Sequence, residues 1–179
     1  MFKEPKKNHG LFLKECMFIA FMELLNEKSL DEITITEITS RAGVSRMTFY
    51  RNYNSKEEIV RDYFAEKKEE FHAGAVLSSI NNGHITYQNV EYCFTYLLNY
   101  GNEIKLLLRA NMGNIVLDTI TNYLLEFFLI NNYDSQRKYL LHSYAGSIYN
   151  TFVVWLLNGV KEPPEQIAHL IYDIYGTRI

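Results

Sequence analysis

Proline is nearly missing. The chain of 179 residues has three, Pro5, Pro163 and Pro164, so nothing between them interrupts a helix by removing an N–H or fixing φ. Cysteine is as scarce. Cys16 and Cys93 lie in apolar surroundings with no paired spacing; they read as buried reduced thiols, which excludes a disulfide framework and fits a cytoplasmic location. The longest wholly apolar run, CMFIAFM at residues 16–22, is too short to cross a bilayer, and its flanks are not those of a cleaved signal peptide. No membrane partner is expected. Alternating strand patterns, internal repeats and low-complexity tracts are also missing. The five histidines (His9, His72, His84, His142, His169) form no H-E-x-x-H and no metal-ligand spacing. GxSxG and phosphate-cradling glycine loops are lacking. His142 and Ser143, though adjacent, would point to different faces of a helix and make a poor nucleophile–base pair. The expectation is a protein that is not an enzyme and holds no cofactor or metal.

What is present is helix-period apolar patterning from end to end. With 47% apolar and 22% charged residues the chain resembles an ordinary folded protein, long enough for one large domain or two small ones. A first helix is expected over about residues 11–26. Thr34 with Glu37 has capping-box form and opens a short helix ended by Ala42-Gly43. Ser45 caps the next, to about Asn52, and Ser55 with Glu58 forms a second box heading a long helix through Ile59, Tyr63, Phe64 and Phe71. Asn81-Asn82-Gly83 breaks that helix, and Gly101 and Gly113 separate segments at 87–100, 103–112 and 114–130. The loop NNYDS from Asn131 leads to Ser135, cap of a helix that Gly159 stops after Asn158; Pro163 and Pro164 suit the first turn of a last helix ending near Tyr175. The expected fold is all-α with about nine helices. A front domain, residues 1–54, joins a rear domain, 55–179, with the boundary inside the helix 56–80.

The formal net charge of −3 argues weakly against a polyanionic partner, but the charge is unevenly spread. Residues 33–56 carry Arg41, Arg46, Arg51 and Lys56 against Glu37, a local +3, and residues 1–14 carry Lys3, Lys6, Lys7 and Lys14 against Glu4, again +3. Within the first of these, GVSRMTFYRNYNSKEE (residues 43–58) gathers cations, phenols and hydroxyls on a short stretch. Such a segment marks a localised polyanion footprint. Its pattern is helix, tight turn, helix. Ile35, Ile38 and Ala42 form one apolar stripe, and Val44 and Phe49 can complete a small core with Ile19 and Ala20. Gly43 can take the positive φ that reverses the chain. The first turn of the second helix, residues 45–48, is then free to face outward, as in a helix-turn-helix.

ITITEITSRAGVSRMTFYRNYNSKEEIV, together with LLNEKSLDEIT upstream, resembles the DNA-binding domain of the TetR family of bacterial transcriptional regulators. The resemblance covers roughly residues 11–64 and rests on the AGVS turn, the TFYRNY helix and SKEE at correct mutual spacing. It implies that Ser45, Arg46, Met47 and Thr48 lie on the leading turn of a recognition helix. Arg46 can match guanine bidentately and the Thr48 methyl can touch thymine; Met47 either meets a thymine methyl or is simply exposed. Tyr50, Asn52, Lys56, Thr34 and Thr36 fall at the family's phosphate-contacting positions. Arg51 either binds phosphate or is a solvated charge. Phe49 and Tyr53 pack inside. The implied DNA partner is a double-stranded operator, an inverted repeat read by a homodimer.

KYLLHSYAGSIYNTFVVWLLNGVKEPPEQIAHLI resembles a C-terminal type common among such regulators in Gram-positive bacteria, where this region binds an effector and makes the dimer. The last two helices carry Ala145, Ile148, Phe152 and Trp155 and then Ile167, Leu170, Ile171 and Ile174 as candidate interface residues of a four-helix dimer; the alternative is that these stripes close a core within one chain. Eleven of the 14 tyrosines follow Phe71. They either line a cavity for an aromatic or amphipathic effector or build a core with wet edges. The expected function is a repressor released by a small-molecule effector. The alternative is a regulator switched by a partner protein, favoured if the rear core is closed and an apolar patch lies exposed.

Overall fold

The structure, a computed structural model, describes residues 7–78, 85–129 and 135–176. Nine α-helices run through them: α1 Lys7–Glu27, α2 Ile35–Arg41, α3 Arg46–Asn52, α4 Lys56–Ser78, α5 Tyr87–Leu98, α6 Gly101–Arg109, α7 Asn114–Phe128, α8 Ser135–Leu157 and α9 Pro164–Tyr175, with a 3-10 turn at Leu30–Glu32. There is no strand among the described residues. The expected breaks at 81–83 and 131–134 lie outside them.

The short helices are set by their ends. Thr34 and Glu37 exchange bonds as a capping box at the head of α2. At its foot Gly43 sits at φ +68°, and the N–H groups of Val44 and Gly43 return to the carbonyls of Thr39 and Ser40. This is a Schellman ending, and it supplies the turn that aims α3. Gly159, at φ +88°, ends α8 the same way through Val160 N–H to Trp155 O. Two expected signals act differently. Gly113 does not reverse the chain after α6; Asn111, at φ +57°, does, with Met112 N–H bonded to Leu107 O. Asparagine tolerates the left-handed region because its short polar side chain satisfies the backbone locally. Glu58 accepts from the N–H of Asn54, one residue before the Ser55 expected to share its box.

α1, α2, α3 and the first half of α4 enclose a small core of Met17, Phe18, Phe21, Ile33, Ile38, Phe49 and Tyr53, together with Ile59 and Val60. Ile19, expected in this core, points outward at 50% exposed, since Phe18 and Phe21 take the inward face of α1. Lys14 bridges α1 to α4 through Asp62 and Glu66, at 3.0 Å each. The remaining helices build the rear: α5 packs along α9, α7 along α8, and α4 covers α5 and α7.

The stripe on α8 faces inward. Ala145, Ile148, Phe152 and Trp155 are buried within the single chain, as is Ile171 of α9. Phe152 and Trp155 meet Phe94 of α5, with ring centroids 6.0–6.4 Å apart. These five side chains pack within their own chain, as in the alternative that the stripes close a core within one chain. The apolar face of a helix is buried against its neighbours, which here are α7 and α5 of its own chain. Leu170 and Ile174 do face outward on α9, as do Val154 and Leu157 on α8, while Ile167 is half-buried.

Candidate nucleic-acid interface

Ser45 caps α3, its hydroxyl accepting from Thr48 N–H at 3.0 Å. That cap fixes the leading turn with Arg46 and Met47 outward, Met47 being 79% exposed. Thr48 is half-buried and its hydroxyl bonds Ser45, so its methyl is the group left for a ligand. Phe49 is sealed in the core and meets Tyr50 edge-on at 5.4 Å, which holds the Tyr50 ring in place while 52% of that residue stays open. Tyr53 is buried and donates to Asp62 at 2.7 Å; burial, then this bond, pushes its phenol well above the ordinary range.

The cations divide sharply. Arg41 is clamped bidentately on Glu27 at 2.6 and 2.9 Å, and Lys14 is held by two carboxylates of α4. Both therefore have carboxylate partners within the chain, which a charge count along the sequence does not reveal. The other cations of residues 1–7 lie outside the described side chains. Lys56 donates to the carbonyls of Leu30 and Ile33, at 2.6 and 2.8 Å. It ties the head of α4 to the turn before α2 and keeps one N–H for a phosphate. Of the cations in residues 33–56, Arg46 and Arg51 are the two that stand exposed with no ion pair among the described residues. Thr34 is exposed, but its N–H and hydroxyl both donate to Glu37, so as a donor it is spent. Thr36 is exposed on the same turn. Asn52 is exposed with its amide on Thr48 O at 2.6 Å.

The salt bridge and hydrogen bond from Lys28, with the bonds from Thr34, hold the Glu37 carboxyl at about 2, below its ordinary 4.5. A depressed acid stabilises the fold above its unfolded value and loses that contribution as pH falls. The stability difference between the wild type and Glu37→Gln is therefore constant above about 4.5, shrinks between 4.5 and 2, and is gone below 2. Denaturant titrations at a series of pH values check this; a difference that does not change with pH rules out the charged box.

The rear half holds a cavity of about 110 Å³ between α4, α5, α7 and α8. Its walls include Phe71, Ile85, Cys93, Tyr96, Tyr123 and Tyr144. Lys67 and Lys68 border it, each drawn to a carboxylate, Glu70 and Glu126. The sequence reading named no residue of this wall as a ligand contact; it saw that tyrosines crowd this half and left a cavity and a wet-edged core as alternatives. Among the described residues no group of acids, histidines and cysteines could hold a metal, and no helix is long and apolar enough to cross a membrane.

An all-helical chain that presents a capped, outward-facing seven-residue helix with free arginines after a Schellman turn is a DNA-binding regulator of the helix-turn-helix class. Residues 20–63 match the family described as bacterial regulatory proteins, tetR family, and residues 84–175 match the transcriptional regulator C-terminal region. The chain belongs to the TetR family of transcriptional regulators, which are not enzymes. It is 26% identical over 161 residues to the uncharacterised HTH-type transcriptional regulator YxbF of Bacillus subtilis (strain 168), covering 87% of this chain and 42% of that protein. The chain spans less than half the length of the curated relatives it matches. Among solved structures it is similar to a TetR transcriptional regulator from Rhodococcus sp. RHA1, at 17% identity and TM-score 0.62 over 94% of this chain and 98% of that one. It is also similar to FadR from Bacillus subtilis in complex with stearoyl-CoA, at 18% identity and TM-score 0.55 over 92% and 98%.

Proposed function

We propose that the chain is a homodimeric repressor that leaves its operator when a small molecule fills the cavity between α4, α5, α7 and α8. Residues 1–54 serve as the DNA-binding unit and 55–179 as the effector and pairing unit. The observation that carries this reading is α4, which belongs to both. Its first two turns hold the reading head through Lys56 on Leu30 and Ile33 and through Asp62 on Tyr53 and Lys14. Its later turns put Phe64 and Phe71 on the cavity wall and brace α7 through Lys68–Glu126. A ligand that moves Phe71 moves the helix from which α3 is hung. The cavity favours a small molecule over a partner protein, since that alternative called for a closed core. FadR of Bacillus subtilis is seen with stearoyl-CoA, whose acyl chain needs far more room than about 110 Å³. The effector here is a smaller molecule.

On DNA, Arg46 reads a guanine edge and the Thr48 methyl a thymine, while Tyr50, Arg51 and Thr36 and the free N–H groups of Asn52 and Lys56 meet phosphates. Selection of bound sequences from random DNA tests this, with an inverted repeat expected. Half-sites one turn apart, about 34–36 Å, fit a two-fold pair of reading heads; selection of no sequence at all would sink the reading. Once the operator is known, Arg46→Ala relaxes preference at one base pair per half-site by about 1–3 kcal/mol. Tyr50→Phe and Lys56→Ala instead weaken binding to every sequence alike and flatten its salt dependence. Sequence-selective loss from Lys56→Ala would remove it from the phosphate contacts.

A further inference from the structure

The cavity contains one polar group without a partner. Tyr144 of α8 is 3% exposed and lines the wall. Its ring leans on Tyr175 of α9 at 5.2 Å, but its phenol oxygen has no hydrogen-bond partner among the described residues. Every fully sealed polar side-chain atom among those residues does have a partner. The Tyr144 oxygen therefore keeps some accessible surface, and its residue forms part of the cavity wall. Leaving a phenol in apolar surroundings without a hydrogen bond is costly, and a native fold keeps such a group where something else completes it.

Water completes it poorly. A buried water is held by two to four polar partners, and most other polar groups of this wall already have a partner in the protein. Tyr123 O–H meets His72 Nδ1 at 3.2 Å, Thr119 donates to Ile115 O, Tyr96 donates to Lys67 O, and the Asn89 amide donates to Ala75 O. Cys93 counts as half-exposed by area, yet burial pushes its thiol up to about 12; the surface it shows is the cavity wall, and it stays a neutral, weak partner. The space itself is apolar and about 110 Å³, a little below the roughly 150 Å³ of an apolar cavity known to take benzene. A buried ion would need a counter-charge. The two cations at the rim already have theirs.

The geometry points to a neutral, flat ligand of about six heavy atoms with one hydrogen-bond acceptor, anchored by the Tyr144 O–H. This rests on the effector reading above but is tested apart from it, by binding to the protein without DNA. Three probes of similar size separate the terms. Pyridine in mildly alkaline buffer is neutral with an acceptor, benzene has the same shape without one, and butyrate carries a charge. Ligand-observed NMR titrations of the full chain should show pyridine and benzene bound and butyrate not. Tyr144→Phe, which keeps the ring contact and removes only the unpaired hydroxyl, should weaken pyridine about tenfold and leave benzene unchanged. Tyr123→Phe, whose hydroxyl is occupied by His72, should change neither. Equal pyridine affinity in wild type and Tyr144→Phe overturns the anchor, as does an equal loss in both tyrosine variants. Tighter binding of butyrate, or binding of palmitate with none of pyridine, overturns the ligand class. Pyridine bound through Tyr144 with operator affinity unchanged at saturation upholds the anchor and counts against the effector reading alone.

Discussion

Leu170→Glu is expected to sediment as a monomer, keep its helical content and lose operator affinity by at least about a thousandfold. Leu170 is 59% exposed on α9, next to Ile174, with Val154 and Leu157 outward on α8. If a second copy covers this surface, the new carboxylate is buried unpaired, and two-fold symmetry places it there twice. Each such charge costs about 3–5 kcal/mol, while the isolated chain is untouched because the residue faces water. Operator binding suffers through pairing alone, since a single head spans too few base pairs for selective affinity. Analytical ultracentrifugation beside operator titration decides it. A variant that stays dimeric and binds normally places the pairing surface elsewhere. Phe152→Glu, the probe that periodicity along α8 recommends, tests something else: it puts a charge into a sealed core and unfolds the rear half of the protein.

Much of the front of the molecule was legible because its signals are local, although Ile19 faces outward and Glu58 bonds Asn54 instead of Ser55. Capping boxes, a left-handed glycine and the TetR-like AGVS turn act over three or four positions, and the structure shows Thr34, Gly43 and Ser45 doing what their chemistry dictates. Charge was read less well, because a count along the chain cannot see partners far away in sequence. Arg41 finds Glu27, Lys14 finds Asp62 and Glu66, and Lys56 finds two carbonyls. Among the described cations of residues 33–56, that leaves Arg46 and Arg51 without an ion pair, with one N–H of Lys56 uncommitted. The rear left its alternatives open for a related reason. Ala145, Ile148, Phe152 and Trp155 are spaced as one helix stripe, and periodicity says that a stripe is buried without saying against what. Only the packing of α8 on α5 and α7 settles that. The sequence offered a tyrosine-lined cavity as one of two alternatives but could not name its wall, because that wall draws on four helices spread along the chain.

Phe49→Ala has the second large effect, and it asks whether the two halves of the protein are separate in energy as well as in sequence. Phe49 is sealed at the centre of the front core, against Tyr50 at 5.4 Å and Tyr53 at 5.7 Å. Removing a buried phenyl costs about 3–5 kcal/mol in lost contacts and cavity, a large share of the roughly 5–15 kcal/mol that holds a domain together. DNA binding should vanish, because Tyr50 loses the ring that positions it. The rear core contains the only tryptophan, Trp155, buried and bonded through its indole N–H to Glu162 O. Its fluorescence therefore reports the rear while far-ultraviolet circular dichroism reports all helices. If residues 1–54 melt on their own, the variant shows an early loss of part of the helix signal and an unshifted tryptophan transition. The shared helix α4 argues against complete separation, because Tyr53 and Lys14 hold it from the front while Arg61–Asp118 and Lys68–Glu126 hold it from the rear. A single transition seen by both probes, lowered by about 2–4 °C per kcal/mol lost, makes α4 a rigid coupler and removes the division at residue 54 as a unit of stability. A rear transition that stays in place shows that α4 can be released from one side alone. An effector that loosens the reading head without unfolding its own site would use that same freedom.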